Sequence, residues 1–149
     1  MKEKPSIFKA VATALLGLII FGLVYLLSYI IFGLIIYVMT LIPLLESLVD
    51  LLFYVRGDTP DLMLSILSPT LAYYCTKAAL ESINKNKSTF GLSCMIQGIS
   101  LIVLHIVSIV LNSLSGAGIL KNIVQVIVGF VFFFSGREVL ASLKTESEM

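Results

Sequence analysis

The sequence predicts an all-α, polytopic membrane protein: a four-transmembrane-helix antiparallel bundle with a long first helix and a short interfacial helix on the outer surface. Three observations carry that expectation. Hydrophobic residues make up 58% of the chain and charged ones 13%, against about a quarter charged in ordinary soluble domains. Mean hydropathy is +1.06, which leaves too little polar surface to cover a water-soluble fold. The few charges are also clustered, so that no residue from Ala10 to Leu45 carries one. All 149 residues are read as a single integral membrane domain.

A crossing needs about 20 apolar residues to span roughly 30 Å of hydrocarbon. The first helix, near 10–42, exceeds this: 36 uncharged residues would run about 54 Å at the usual rise. Basic residues decide between one crossing and two, because they gather on the cytoplasmic side. With one crossing, Lys2, Lys4, Lys9, Lys77, Lys85, Lys87, Arg137 and Lys144 share a side, and Arg56 and Lys121 lie opposite. Two crossings would divide them evenly. One crossing is therefore expected, in the cell membrane, with N- and C-termini cytoplasmic. The apolar run is also far longer than the 7–15 residues of a secretory signal, so it is read as a permanent anchor.

After Pro43 the stretch "LLESLVDLLFYV" puts Glu46, Asp50 and Tyr54 on one helical face among leucines. It predicts an interfacial helix over about 44–56, with Glu46 and Asp50 forming an outer acidic face. Thr59-Pro60-Asp61 then supplies a cap, a first-turn proline and an acid, all suited to a helix start. The second helix follows over 60–83, with Pro69 as a hinge. "SINKNKST" is a polar connector, with Ser88 or Thr89 expected to cap a third helix at 89–113. "NSLSGAG" makes a short turn into a fourth helix at 118–141, and 143–149 is read as a solvated tail.

Each of the last three helices carries a stripe of small or polar residues at alternating steps of three and four. In the second it is Asp61, Ser65, Ser68, Ala72, Cys75, Ala79 and Ser82. In the third it is Gly91, Cys94, Gly98, Leu101, His105, Ser108 and Asn112; in the fourth, Gly118, Asn122, Gln125, Gly129, Phe132 and Gly136. Within lipid such stripes mark helix contacts, since small residues admit close backbones and polar ones hydrogen-bond across. Gly91, Gly98, Gly129 and Gly136 are thus the expected packing stripe. Folding the chain about Ser115 sets His105 level with Gln125, Ser108 with Asn122, Leu101 with Gly129 and Gly98 with Phe132.

His105 is the only histidine. With Gln125 and Ser68 it forms the expected intramembrane polar site, near the Pro69 hinge. It serves either as interhelical glue or, as an ionisable group within a membrane, as part of a proton or substrate path. Lys77 with Glu81, and Arg137 with Glu138, are read as snorkelling ion pairs near the cytoplasmic face.

No nucleophile, metal-ligand or phosphate-loop motif occurs, and Cys75 and Cys94 fit neither a disulfide framework nor a metal spacing. The expectation is a non-enzyme without cofactor or metal. A net charge of +1 supplies no field for nucleic acid. The partners expected are the lipid bilayer and another membrane protein or a second copy of this chain. The layout is typical of small four-helix bacterial membrane proteins. Two roles are expected to suit it: an accessory, regulatory or immunity-type subunit, or else a small oligomeric transporter or channel for protons, ions or a small solute.

Overall fold

A computed structural model describes residues 6–42, 59–113 and 119–148. It contains four α-helices and, among the described residues, no strand: α1 (Ile7–Thr40), α2 (Thr59–Ile83), α3 (Lys87–Ser113) and α4 (Ile119–Glu148). Three are long and apolar enough to cross a membrane, over Ile7–Met39, Lys87–Leu111 and Lys121–Glu146. The α2 helix, with Lys77, Glu81, two prolines and three serines, is not among them. The expected interfacial helix at 44–56, with Glu46 and Asp50, lies outside the described residues. So does the centre of the turn between α3 and α4.

Local chemistry explains where the boundaries differ from expectation. Ser6 starts α1 three residues early, its hydroxyl accepting from the Lys9 N–H at 3.4 Å. At α3 the cap is Asn86, not Ser88 or Thr89: its side-chain oxygen accepts from the N–H groups of both, at 2.8 and 3.3 Å. A carboxamide placed one residue before the helix meets the orphan first-turn donors that a residue inside it cannot. The fourth helix also ends later than the expected 141, since α4 continues to Glu148 through most of the segment read as a solvated tail, 143–149. Its last turns contain Glu, Leu, Ala and Lys, which favour helix even in water. Helix α2 runs unbroken through Pro69, whose ring is buried.

Close approaches fix the helix directions. Gly17 of α1 meets Leu80 of α2 and Gly33 meets Leu64, so these two helices are antiparallel. Thr13 meets Ser93 and Gly17 meets Gln97, so α1 and α3 run in parallel. Gly91 meets Gly136 and Gly98 meets Gly129, so α3 and α4 form an antiparallel hairpin. The first residues of α1 and α3 and the last of α2 and α4 therefore share one end of the bundle. In cross-section α1 neighbours α2 and α3, which both neighbour α4. Across the remaining diagonal, Phe21 of α1 reaches Phe132 of α4 edge to face, with ring centres 6.3 Å apart.

The core is small and mixed. Phe21, Ala72, Tyr73, Leu80, Phe90, Cys94, Leu101, Val128 and Phe132 are its buried apolar members. Most other large aliphatic side chains of α1 and α3 point outward, Leu23 and Leu111 among them. Outward apolar side chains with small and polar groups among the inward ones depart from the soluble pattern.

Candidate functional site

The α3–α4 seam is built on a seven-residue repeat. Gly91 faces Gly136, Gly98 faces Gly129, and one heptad further His105 faces Asn122. A Cβ added at Gly98 would stand 2.5 Å from the Gly129 carbonyl oxygen and 2.6 Å from the Phe133 nitrogen. Only glycine allows that approach. His105 Nδ1 and Asn122 Oδ1 are 3.0 Å apart, a bond that requires the proton on Nδ1.

This register replaces the expected one. His105 bonds to Asn122 and not Gln125, and Gly98 faces Gly129 and not Phe132, a displacement of three residues along α4. The physical reason is that glycine opposite glycine brings the backbones closest. The expected large-against-small alternation would hold the helices further apart. Ser68 is fully buried, and its hydroxyl has no hydrogen-bond partner among the described residues, His105 included. The proposed trio of His105, Gln125 and Ser68 is thus not joined by hydrogen bonds.

A second polar seam joins α1 to α3, and the expected stripes omit it. The Thr13 and Ser93 hydroxyls lie 2.7 Å apart; Thr13 also reaches the Lys9 carbonyl at 2.8 Å, and Ser93 the Thr89 carbonyl at 2.8 Å. One hydroxyl donates across the seam while the other donates to its own helix. A turn further on, Gln97 packs over Gly17, where an added Cβ would fall 2.6 Å from the Gln97 Oε1. The buried face of α1 is Ala10, Thr13, Ala14, Gly17, Phe21 and Ser28. That spacing was available in the sequence but obscured by the apolar residues on every other side of α1.

No match was found to any protein-family model, curated protein or solved structure. The functional reading therefore rests on this geometry alone.

The α2–α4 seam carries one lysine, Lys77, in its polar contacts. The Tyr73 hydroxyl is 3.0 Å from Ser135 Oγ, and Lys77 Nζ donates to the same oxygen at 3.4 Å while lying 5.8 Å from the Tyr73 ring centre. The Tyr73 ring packs edge to face on Phe132, 4.6 Å between centres. At the far end Lys121 donates to the Tyr29 hydroxyl at 3.4 Å and sits over its ring. Both ammonium groups lie close to an aromatic ring, an arrangement that favours a cation.

Of the expected α2 stripe, Ser65, Ser68 and Ala72 are buried, but Cys75 and Ser82 are exposed, and the inward face continues through Thr76 and Leu80. Alternating steps of three and four average 3.5 residues per turn, whereas a straight helix has 3.6, so the assumed stripe slides off the contact face. Among the described residues no three His, Cys, Asp or Glu side chains gather as a metal site would require.

Six side-chain atoms define what else the interior could do. Ser68 Oγ, Thr76 Oγ1, Asn84 Oδ1, both polar atoms of Gln97 and Gln125 Oε1 are buried with no hydrogen-bond partner among the described residues. Ser68, Thr76 and Gln97 are fully inaccessible. Every one of these groups is neutral and hydrogen-bonding, which suits them to contact water or a small polar solute.

Proposed function

We propose that this chain is a non-enzymatic, four-crossing protein of the cell membrane that serves as an accessory, regulatory or immunity-type subunit bound to another membrane protein. Three apolar helices of spanning length support the membrane placement. The fourth crossing is α2, which lies antiparallel to α1 with Ser65, Ser68, Ala72 and Thr76 turned inward. Lys9, Lys77, Lys87, Arg137 and Lys144 on the helices and Lys85 in the connector lie toward one bundle end, and Lys121 lies near the other. That asymmetry favours cytoplasmic termini.

The subunit role is carried by the uneven length of α1. At the offset that pairs Thr13 with Ser93, α3 ends level with Gly33, while α1 continues for two further turns to Thr40. There Leu34, Ile35, Tyr37 and Val38 are exposed, an apolar face suited to a helix from a partner. Gentle extraction of the native protein followed by mass determination tests this. A stoichiometric second membrane protein, lost on Leu34→Glu with Val38→Glu but retained on Leu23→Phe, agrees with the proposal. A homo-oligomer with nothing else bound rejects it.

The six unpartnered buried polar atoms favour a second reading, the small oligomeric transporter or channel. A packing subunit gains nothing from buried polar groups without partners, and each one costs stability in a water-free span.

A further inference from the structure

The α2–α4 seam sets one cation below two acids. Lys77 is half-buried, and its ammonium meets Ser135 Oγ at 3.4 Å and the Tyr73 ring at 5.8 Å from the ring centre. Both partners are neutral, so neither supplies a counter-charge. With Lys77 and Tyr73 both donating to Ser135 Oγ, the serine keeps its own proton to give, and the ammonium has two further N–H groups. A phosphate oxygen is what such a set of donors would recognise.

Glu81 follows Lys77 by one turn on the same flank of α2, and Glu138 follows Ser135 by about one turn on α4. Both glutamates are exposed. The two helices run from these residues toward the bundle end they share, so the acids stand nearer that end than the lysine and the serine, by about 5 Å. Arg137 takes no part, because two residues past Ser135 is a little over half a turn and carries it to the far side of α4.

That order of charge matches one kind of phospholipid headgroup. The phosphate of a phospholipid is joined to the glycerol and lies deeper, and the headgroup substituent lies beyond it toward water. A purely basic pocket between membrane helices would suit an anionic lipid. Here a headgroup whose phosphate met Lys77 would bring its substituent level with Glu81 and Glu138. A primary ammonium can donate charge-assisted hydrogen bonds to both carboxylates. A choline group has no N–H and is recognised by aromatic faces instead. A glycerol headgroup would leave the two glutamates facing a phosphate with no cation between them.

We propose that the α2–α4 seam binds one molecule of phosphatidylethanolamine from the cytoplasmic leaflet, its phosphate held by Lys77 and Ser135 and its ammonium by Glu81 and Glu138. Its acyl chains lie deeper, along the exposed Val131 and Ile127 of α4 and Tyr74 of α2. The proposal rests on the membrane placement and orientation given above and on neither functional role.

The test uses the purified full chain, delipidated in non-ionic detergent and titrated with dioleoyl phosphatidylethanolamine, phosphatidylcholine or phosphatidylglycerol, with bound lipid counted by mass spectrometry of the intact complex. One ethanolamine lipid per chain is expected, bound at least about tenfold more tightly than either of the others. Lys77→Gln should weaken it by about tenfold. Glu81→Gln with Glu138→Gln should bind the glycerol lipid at least as well as the ethanolamine lipid, an inversion that unfolding cannot produce. Unchanged alkylation of buried Cys94 in a Cys75→Ser background reports that each variant remains folded. A smaller wild-type preference, or one that survives in the double variant, overturns the proposal. Displacement of the lipid by millimolar glycerophosphoethanolamine would assign the site to a soluble phosphate ester and overturn it too. None of these outcomes touches the membrane reading, which release of the protein from membranes by alkaline carbonate would reject.

Discussion

Replacing Gly98 by alanine should loosen the α3–α4 hairpin by an amount the geometry sets. The new methyl would meet the Gly129 carbonyl oxygen at 2.5 Å, the Phe133 nitrogen at 2.6 Å and the Phe133 Cα at 3.0 Å. All three are backbone atoms and cannot turn aside. Carbon-to-oxygen contacts in proteins settle near 3.3–3.6 Å, so the helices must part by about 1 Å. A gap of that size forfeits a quarter to a half of the dispersion well at each neighbouring contact. Overpacking of this kind costs about 1–3 kcal/mol, and about 2 is expected here, a factor of roughly 30 in the open population.

Cys94 reports that opening, since it is buried on α3 between Gly91 and Gly98. In a Cys75→Ser background in detergent, its alkylation rate follows the open population when closing outpaces labelling. Gly98→Ala should raise the rate by about 30-fold on the estimate above. Gly22→Ala is the matched control, because a Cβ there meets nothing within 4 Å, and it should leave the rate unchanged or lower. If Gly98→Ala stays within about twofold of wild type, or Gly22→Ala does equal damage, the glycine ladder is not what holds the hairpin.

Other expectations follow from single contacts. His105→Leu should cost about 1 kcal/mol, within the range for hydrogen bonds inside membranes, and a double-mutant cycle with Asn122→Leu should return a coupling near 0.6; additive effects would remove the bond from the account. Thr13→Val should cost 1 kcal/mol or less, because the Ser93 hydroxyl keeps the Thr89 carbonyl at 2.8 Å. Stability of Thr13→Val with Ser93→Ala equal to that of Thr13→Val alone would show that the two hydroxyls act as one unit. In intact membranes Cys75, which is exposed on α2, should resist a charged thiol reagent and be alkylated only once detergent lets water reach it, since the hydrated thiolate is the nucleophile. Rapid labelling by the charged reagent would place the middle of α2 in water.

What could be read from the sequence depended on contrast within each helix. On α3 and α4, glycines and polar residues stand out at regular spacing among Leu, Ile, Val and Phe, so Gly91, Gly98, Gly129 and Gly136 identify themselves. Helix α1 offers less contrast, because its outward residues are uniformly large and apolar and attention falls on its length. Ala10, Thr13, Ala14 and Gly17 were nevertheless correctly spaced to mark its buried side. Gln97 falls outside the stripe because it adjoins Gly98: α3 presents two buried faces, toward α4 and toward α1, whereas a single stripe permits one. Register is a different problem, since the turn outside the helices decides it and side-chain pattern constrains it only to within a turn.

The least apolar helix also shows how the bundle depends on its own packing. Helix α2 contains Lys77, Glu81, Pro69 and inward Ser65, Ser68 and Thr76, a poor composition for a segment that must enter lipid alone. It gains its place from neighbours: Gly17 and Gly33 on α1 admit Leu80 and Leu64, while Ser135 on α4 meets both Tyr73 and Lys77. The α3–α4 hairpin makes no comparable demand, because its two helices are each of spanning length and their glycines face one another. A reporter preceded by residues 87–148 should therefore integrate into membranes unaided, as should one preceded by residues 6–42. A reporter carrying residues 59–83 alone should remain extractable by alkaline carbonate until α1 and the hairpin are supplied. Integration of the isolated α2 segment as efficient as that of α1 would show that its polar face needs no partners, and the dependence argued from these contacts would fail.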